Sequence, residues 1–165
     1  MASLTHCTNK QVIHSLFKKY DRDSSNSMNM SELKNLFVQD LTINFTDDHL
    51  GAIQMYMDKD SDGKISFDEF FNYWCTIVAQ DQDMVTNPEN SERLYRLTYC
   101  ANLFKNYDTS KNRVLSVQEF APFYRQLWNN YSAQMVEVES AVKYIDSDRD
   151  GQLSFQELIN WLKWL

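Results

Sequence analysis

The chain has 165 residues, 43% of them hydrophobic and 24% charged, with a formal net charge of −7. That length can bury a core as one domain or two small ones. The acidic balance excludes a nucleic-acid-binding surface, and no stretch approaches the roughly 18 apolar residues of a membrane span.

The first helical spacing is Ile13 and Phe17, behind Thr8 or Asn9 as N-cap. This helix ends at Tyr20, where the window Asp21–Glu32 (DRDSSNSMNMSE) begins. A second helix runs from about Met30 to Asp40 through Leu33, Leu36 and Phe37. Thr46 caps the third, with Asp47 and Asp48 in the first turn, where the helix dipole favours acids. That helix enters Asp58–Glu69 (DKDSDGKISFDE). The helix leaving it is long and aromatic, through Phe67, Phe70, Phe71, Trp74, Ile77 and Val78.

Residues 80–90 (QDQDMVTNPEN) lose this periodicity and contain Pro88, the mark of a linker. Ser91 caps the next helix, which leads to Asp108–Glu119 (DTSKNRVLSVQE). Pro122 falls in the first turn or two of the helix that follows, where proline is cheapest. After an Asn129–Asn130 turn, Ser132 caps the helix before Asp146–Glu157 (DSDRDGQLSFQE), and a last helix finishes in WLKWL.

One unit therefore occurs four times, with window starts 37, 50 and 38 residues apart. The spacing predicts two pairs, 9–79 and 91–165, joined by 80–90. One unit alone cannot bury its apolar face, so the eighth window positions are expected to meet across short antiparallel bridges, Met28 with Ile65 and Leu115 with Leu153. Four residues before the windows stand Phe17, Gln54, Phe104 and Val142, and Gln54 is the one break in the pattern.

The windows hold 14 of the chain's 23 acids but only 6 of its 16 bases. In the second, Asp58, Asp60 and Asp62 alternate so that three short carboxylates converge, Gly63 permits a sharp turn, and Glu69 can close the shell with both oxygens. A hard cation needing six to eight oxygens fits such a set. The candidate ligands are Asp58, Asp60, Asp62, the Lys64 carbonyl, Ser66 and Glu69. The fourth window offers Asp146, Asp148, Asp150, the Gln152 carbonyl, Ser154 and Glu157, again with glycine at the turn. The first offers Asp21, Asp23, Ser25, the Ser27 carbonyl, Asn29 and Glu32, with Asn26 replacing that glycine. The third has Asp108, Ser110, Asn112, the Val114 carbonyl, Ser116 and Glu119, with Arg113 at the turn. Arg113 there costs about 1 kcal/mol in backbone strain and adds a positive charge. The second and fourth are expected to bind best, the first more weakly and the third least.

These windows resemble the calcium loop of an EF-hand, and the flanking helices extend the resemblance to the calmodulin-like EF-hand superfamily over roughly residues 9–165. The resemblance implies an all-α fold of four EF-hand helix-loop-helix units in two paired lobes, holding three to four calcium ions. A bidentate Glu suits calcium over magnesium. The histidines, His6, His14 and His49, lie outside the windows and read as ordinary helix residues.

Two roles are consistent with this pattern. In a calcium-dependent regulator, binding exposes an apolar groove to an amphipathic helix of a partner protein. In a cytosolic buffer of the sarcoplasmic type, which the long break between pairs also resembles, the ion binds with little movement. The outgoing helices carry no recurring methionine but do carry aromatics, with tryptophan at Trp74, Trp128, Trp161 and Trp164. Catalysis is not expected. Calcium-triggered photoproteins share the scaffold, but no histidine follows His49, and the acids are committed to the windows.

Cys7, Cys75 and Cys100 are odd in number and without a CxxC spacing, so they read as reduced thiols and not as disulfides or a zinc site. The opening residues lack the pattern of a secretory signal, and Ala2 stands where myristoylation needs glycine. A cytoplasmic protein without membrane span or lipid anchor is expected.

Overall fold

The computed structural model describes residues 7–80 and 82–163. The expectations on His6 and Trp164 lie outside the described residues.

Each of the four windows sits between two helices. In the first half, α1 (Lys10–Tyr20) leads through the first loop to α2 (Met30–Gln39), and α3 (Asp47–Met57) leads through the second to α4 (Phe67–Tyr73). Asn9 caps α1 and Thr46 caps α3 through their side-chain oxygens. In the second half, α6 (Glu92–Tyr107) precedes the third loop and α7 (Val117–Leu127) follows it. The fourth loop lies between α8 (Met135–Ile145) and α9 (Phe155–Leu162). Ser91 Oγ accepts the Leu94 amide at 3.2 Å, so it caps α6 as expected. Pro122 lies in the second turn of α7.

Short strands join the loops in pairs. β1 (Ser27–Met28) runs antiparallel to β2 (Ile65–Ser66) with Met28 opposite Ile65. β3 (Val114–Ser116) runs antiparallel to β4 (Gln152–Ser154) with Leu115 opposite Leu153. All four of these apolar residues are fully buried.

The chain divides into two compact units, residues 1–98 and 99–165, the division falling within α6. In the first, α1 packs on α4 and α2 on α3. Its core is aromatic: Phe17 lies 5.5 Å from Phe67 and 5.7 Å from Phe70, and Phe70 lies 5.5 Å from Trp74. In the second unit Phe104 meets Phe155 at 5.5 Å, and Phe120 meets Phe123 and Tyr124 at 5.7 Å each.

Three local expectations are revised. The aromatic run after the second loop is not one α-helix: it changes to π winding over Trp74–Val78. There Thr76 Oγ1 donates to the Asn72 carbonyl at 2.7 Å, the type of back-bond that bends helices. The wider turn buries Trp74, Ile77 and Val78 together, and Trp74 Nε1 donates to the Cys7 carbonyl at 2.9 Å. Within 80–90, α5 (Gln82–Thr86) and a 3₁₀ turn (Pro88–Asn90) form. Met84 and Val85 bury themselves in this segment, and the residue before Pro88 is barred from continuing the helix. Finally, Ser132 does not cap α8. Its hydroxyl is held in the preceding turn by Asn130 Oδ1 at 3.1 Å, and Gln134 occupies the cap position without a side-chain bond.

No helix among the described residues is long and apolar enough to cross a membrane. Phe70→Ala, which deletes a fully buried ring between Phe17 and Trp74, is expected to destabilise the first unit by about 3–5 kcal/mol. Urea unfolding followed on the amides of residues 10–78 measures it.

Candidate metal centres

The last residue of every loop does two structural jobs. Glu32, Glu69, Glu119 and Glu157 are each the third residue of the outgoing helix, and each forms a reciprocal capping box with the residue at loop position nine. One carboxylate oxygen accepts the amide of that N-cap: Asn29, Ser66, Ser116 or Ser154, at 2.8–3.0 Å. The other reaches back to the start of the loop, accepting the amide of Arg22, Lys59, Ser110 or Ser147 at 2.8–3.0 Å. In the third and fourth loops a hydroxyl, of Thr109 or Ser147, donates to the same oxygen. Each loop is thus closed into a ring by its own glutamate.

The first aspartate of each loop organises the turn. The residue at position six donates its amide to it: Asn26 to Asp21 at 3.1 Å, Gly63 to Asp58 at 2.9 Å, Arg113 to Asp108 at 2.9 Å and Gly151 to Asp146 at 3.0 Å. Positions four and six of every loop take positive φ, including 84° at Gly63, 61° at Asn26 and 67° at Arg113. Glycine adopts this region without strain; Asn tolerates it and Arg does so less readily.

Carboxylates converge in three of the loops. Asp21, Asp23 and Glu32 each offer an oxygen within 4.8 Å of the others, as do Asp58, Asp60 and Glu69, and Asp146, Asp148 and Glu157. Among the described residues the third loop contributes no such triad, having only Asp108 and Glu119. Asp62 and Asp150 stand outside the triads, accepting the amides of Lys64 and Gln152 at 2.7 Å each. At position nine Asn29, Ser66, Ser116 and Ser154 serve as helix caps. Ser25 Oγ donates to the Ser27 carbonyl at 3.0 Å, so two candidate donors of the first loop bond each other.

The donor set fits a hard divalent cation. It is all oxygen, and three of the loops add converging negative charge. Asp146 Oδ1 is buried and has no hydrogen-bond partner among the described residues, a costly state for a carboxylate oxygen that a cation relieves. The local field is uneven. Hydrogen bonding from Ser25, whose amide donates to Asp23 Oδ1 at 3.0 Å, holds Asp23 below the usual carboxylate range. Asp148 is raised: the Asp150 amide works against the shift, but desolvation and the Asp150 and Glu157 carboxylates outweigh it. Glu157 is lowered because the Ser154 and Ser147 donors overcome its desolvation.

Gln54 has a role that its break in the apolar pattern could have flagged. Its Nε2 donates to the Gly63 carbonyl at 3.0 Å, so the amide clamps the turn glycine of the second loop from the incoming helix. A polar residue four positions before the loop, where the other three units are apolar, is the sequence signal.

A family model described as an EF-hand domain pair matches residues 10–75 and again 98–163. The chain is similar to calcium-binding protein G of Dictyostelium discoideum, 28% identical over 156 residues that cover 93% of this chain and 86% of that protein. It is also similar to calcium-binding protein CML19 of Arabidopsis thaliana, 23% identical over 154 residues, 93% of this chain and 83% of that one. Among solved structures, a homolog of programmed cell death 6 protein from Leishmania major Friedlin aligns over 94% of this chain and 72% of its own, at 18% identity and a TM-score of 0.39.

Gln54→Leu leaves the Gly63 carbonyl without that donor and is expected to cost about 1 kcal/mol, read as a lower urea midpoint in chelator. A second expectation concerns pH. Glu119 is held at about 2, below its ordinary 4.5, first by the Ser116 amide and, against desolvation, by Thr109 and Ser110. Because the folded value is the lower one, this stabilisation is complete above about pH 4.5 and is lost as pH falls toward 2. Glu119→Gln in chelator should therefore unfold at lower urea than the parent at pH 7, and the two midpoints should converge near pH 2.

Proposed function

The chain belongs to the EF-hand domain-pair family, and we propose that it binds calcium in its loops and acts as a calcium-dependent regulator of a partner protein. The observation that carries calcium binding is the convergence of three carboxylates in each of three loops. The residues that would hold the ions are those at positions one, three, five, seven, nine and twelve, from Asp21 to Glu32, Asp58 to Glu69, Asp108 to Glu119 and Asp146 to Glu157. The second and fourth loops rank first, since Asp62 and Asp150 add charge and glycine frees the turn. The first follows. The third, with two acids and Arg113 in the left-handed region, ranks last, so three to four ions bind.

The regulatory reading rests on the aromatic surface of the second unit. Trp128 is 51% exposed and lies 5.9 Å from Trp161, which stacks with Tyr124 at 6.4 Å. Tyr131 and Tyr144 are exposed as well. An amphipathic helix of a partner is the ligand such a surface suits. A cytoplasmic, non-enzymatic protein of two lobes, 9–79 and 91–165, completes the reading. One observation favours the alternative, a calcium buffer: Phe70, Trp74, Phe120 and Phe123 of the outgoing helices are already fully buried, so those rings serve as core.

Glu69→Gln and Glu157→Gln are each expected to weaken one of the two tightest calcium sites by about tenfold or more; a calcium titration in which both variants keep the tight phase overturns the ranking. Binding of an apolar fluorescent dye separates the two roles. A calcium-specific rise, absent with magnesium, supports the regulator. Stoichiometric calcium binding with no rise supports the buffer.

A further inference from the structure

Lys18 lies on the last turn of α1, three residues before the first loop, outside every candidate ligand position. Its Nζ donates to Asn26 Oδ1 at 2.7 Å and lies 3.9 Å from Asp21 Oδ2. The Asp21 side chain is fully buried, while that of Lys18 is 44% exposed. Asn26 occupies position six, where the second and fourth loops have glycine, and its backbone is at φ 61°. The asparagine therefore does more than replace a turn residue: its amide oxygen tethers an ammonium beside the first carboxylate of the loop.

The other loops make the comparison. The residues three before their first aspartates are Met55, Lys105 and Lys143. Two are lysines, yet among the described residues neither forms an ion pair with Asp108 or Asp146. Position six in those loops is Arg113 or Gly151, and neither side chain offers an oxygen to hold an ammonium. The tether needs both Lys18 and Asn26.

We propose that Lys18, anchored by Asn26, is an affinity-setting residue of the first loop, an internal positive charge that competes for Asp21 and keeps this site weaker than the other two triads. This rests on the reading of the loop as a calcium site. Lys18 is a positioning residue for charge and not a ligand. Two unit charges about 4 Å apart in water interact by roughly 1 kcal/mol, which corresponds to about a fivefold change in affinity.

The test is a calcium titration of the full chain followed by amide NMR, reading Ser25 and Ser27 for the first loop and Gly63 and Gly151 for the second and fourth. Lys18→Met keeps the aliphatic stem and removes the charge. It is expected to shift the Ser25 and Ser27 midpoint to about fivefold lower calcium, leave Gly151 unmoved, and lose much of that gain at high ionic strength. Asn26→Gly releases the tether and relaxes the turn, so it should gain more in the parent than in Lys18→Met. Equal first-loop midpoints in parent and Lys18→Met overturn the role of Lys18 and leave the site standing. If Ser25 and Ser27 stay still in both proteins while Gly63 and Gly151 respond, the first-loop site itself fails, and the proposal with it.

Discussion

A single carboxylate at the end of each loop decides how the rest of the chain can fold. The four glutamates at position twelve tie the first amides of the loop to the N-cap of the helix that leaves it. A helix start presents unsatisfied amides, and a polar loop of twelve residues has little apolar area of its own to hold it. The glutamate meets both needs at once, fixing where the outgoing helix begins relative to the incoming one. Because the same oxygens close the loop, any cation recruiting them acts directly on the helix start. Loop chemistry and helix placement are therefore linked through one side chain.

The apolar faces then set the pairing. With Met28 opposite Ile65 and Leu115 opposite Leu153, two loops share a short bridge while their helices bury aromatic rings beneath it. Within the first unit these rings are enclosed: Phe70 and Trp74 are fully buried, and the π turn rotates Trp74 inward to bond the Cys7 carbonyl. In the second unit the rings at the ends of α7 and α9 are left partly uncovered, with Trp128 the most exposed of that cluster. The two units share a plan but differ in what they present to solvent.

Charge separates the loops further. Their carboxylates are repeated by position, yet their neighbours are not: Lys18 stands beside Asp21, Arg113 adds a positive charge to the third loop, and desolvation with the Asp150 and Glu157 carboxylates raises the pKa of Asp148. Similar backbones therefore carry unlike local fields from loop to loop.

The repeat, the loop boundaries, the bridge partners and the caps of α1, α3 and α6 are legible in the sequence, because each follows from a local pattern or its repetition; Asn29, Ser66, Ser116 and Ser154 read there only as candidate ligands, though they cap the outgoing helices. Helix spacing, a turn requiring positive φ and a carboxylate three residues after an N-cap are local demands, and the chain states them four times. Other features depend on contacts the residue order does not display. In sequence Gln54 is a break in an apolar stripe; in space its side-chain amide donates to the Gly63 carbonyl. In sequence Ser132 has the character of a cap; in space its hydroxyl donates to Asn130 Oδ1. The winding change at Trp74, the burial of Met84 and Val85, and the tether from Lys18 to Asn26 are likewise decided by what lies alongside in space. Sequence determined the units and their chemistry because those arise within one turn or one loop; tertiary structure decided which rings stay open and which charges face each carboxylate, because those depend on the packing of elements that the chain brings together from far apart.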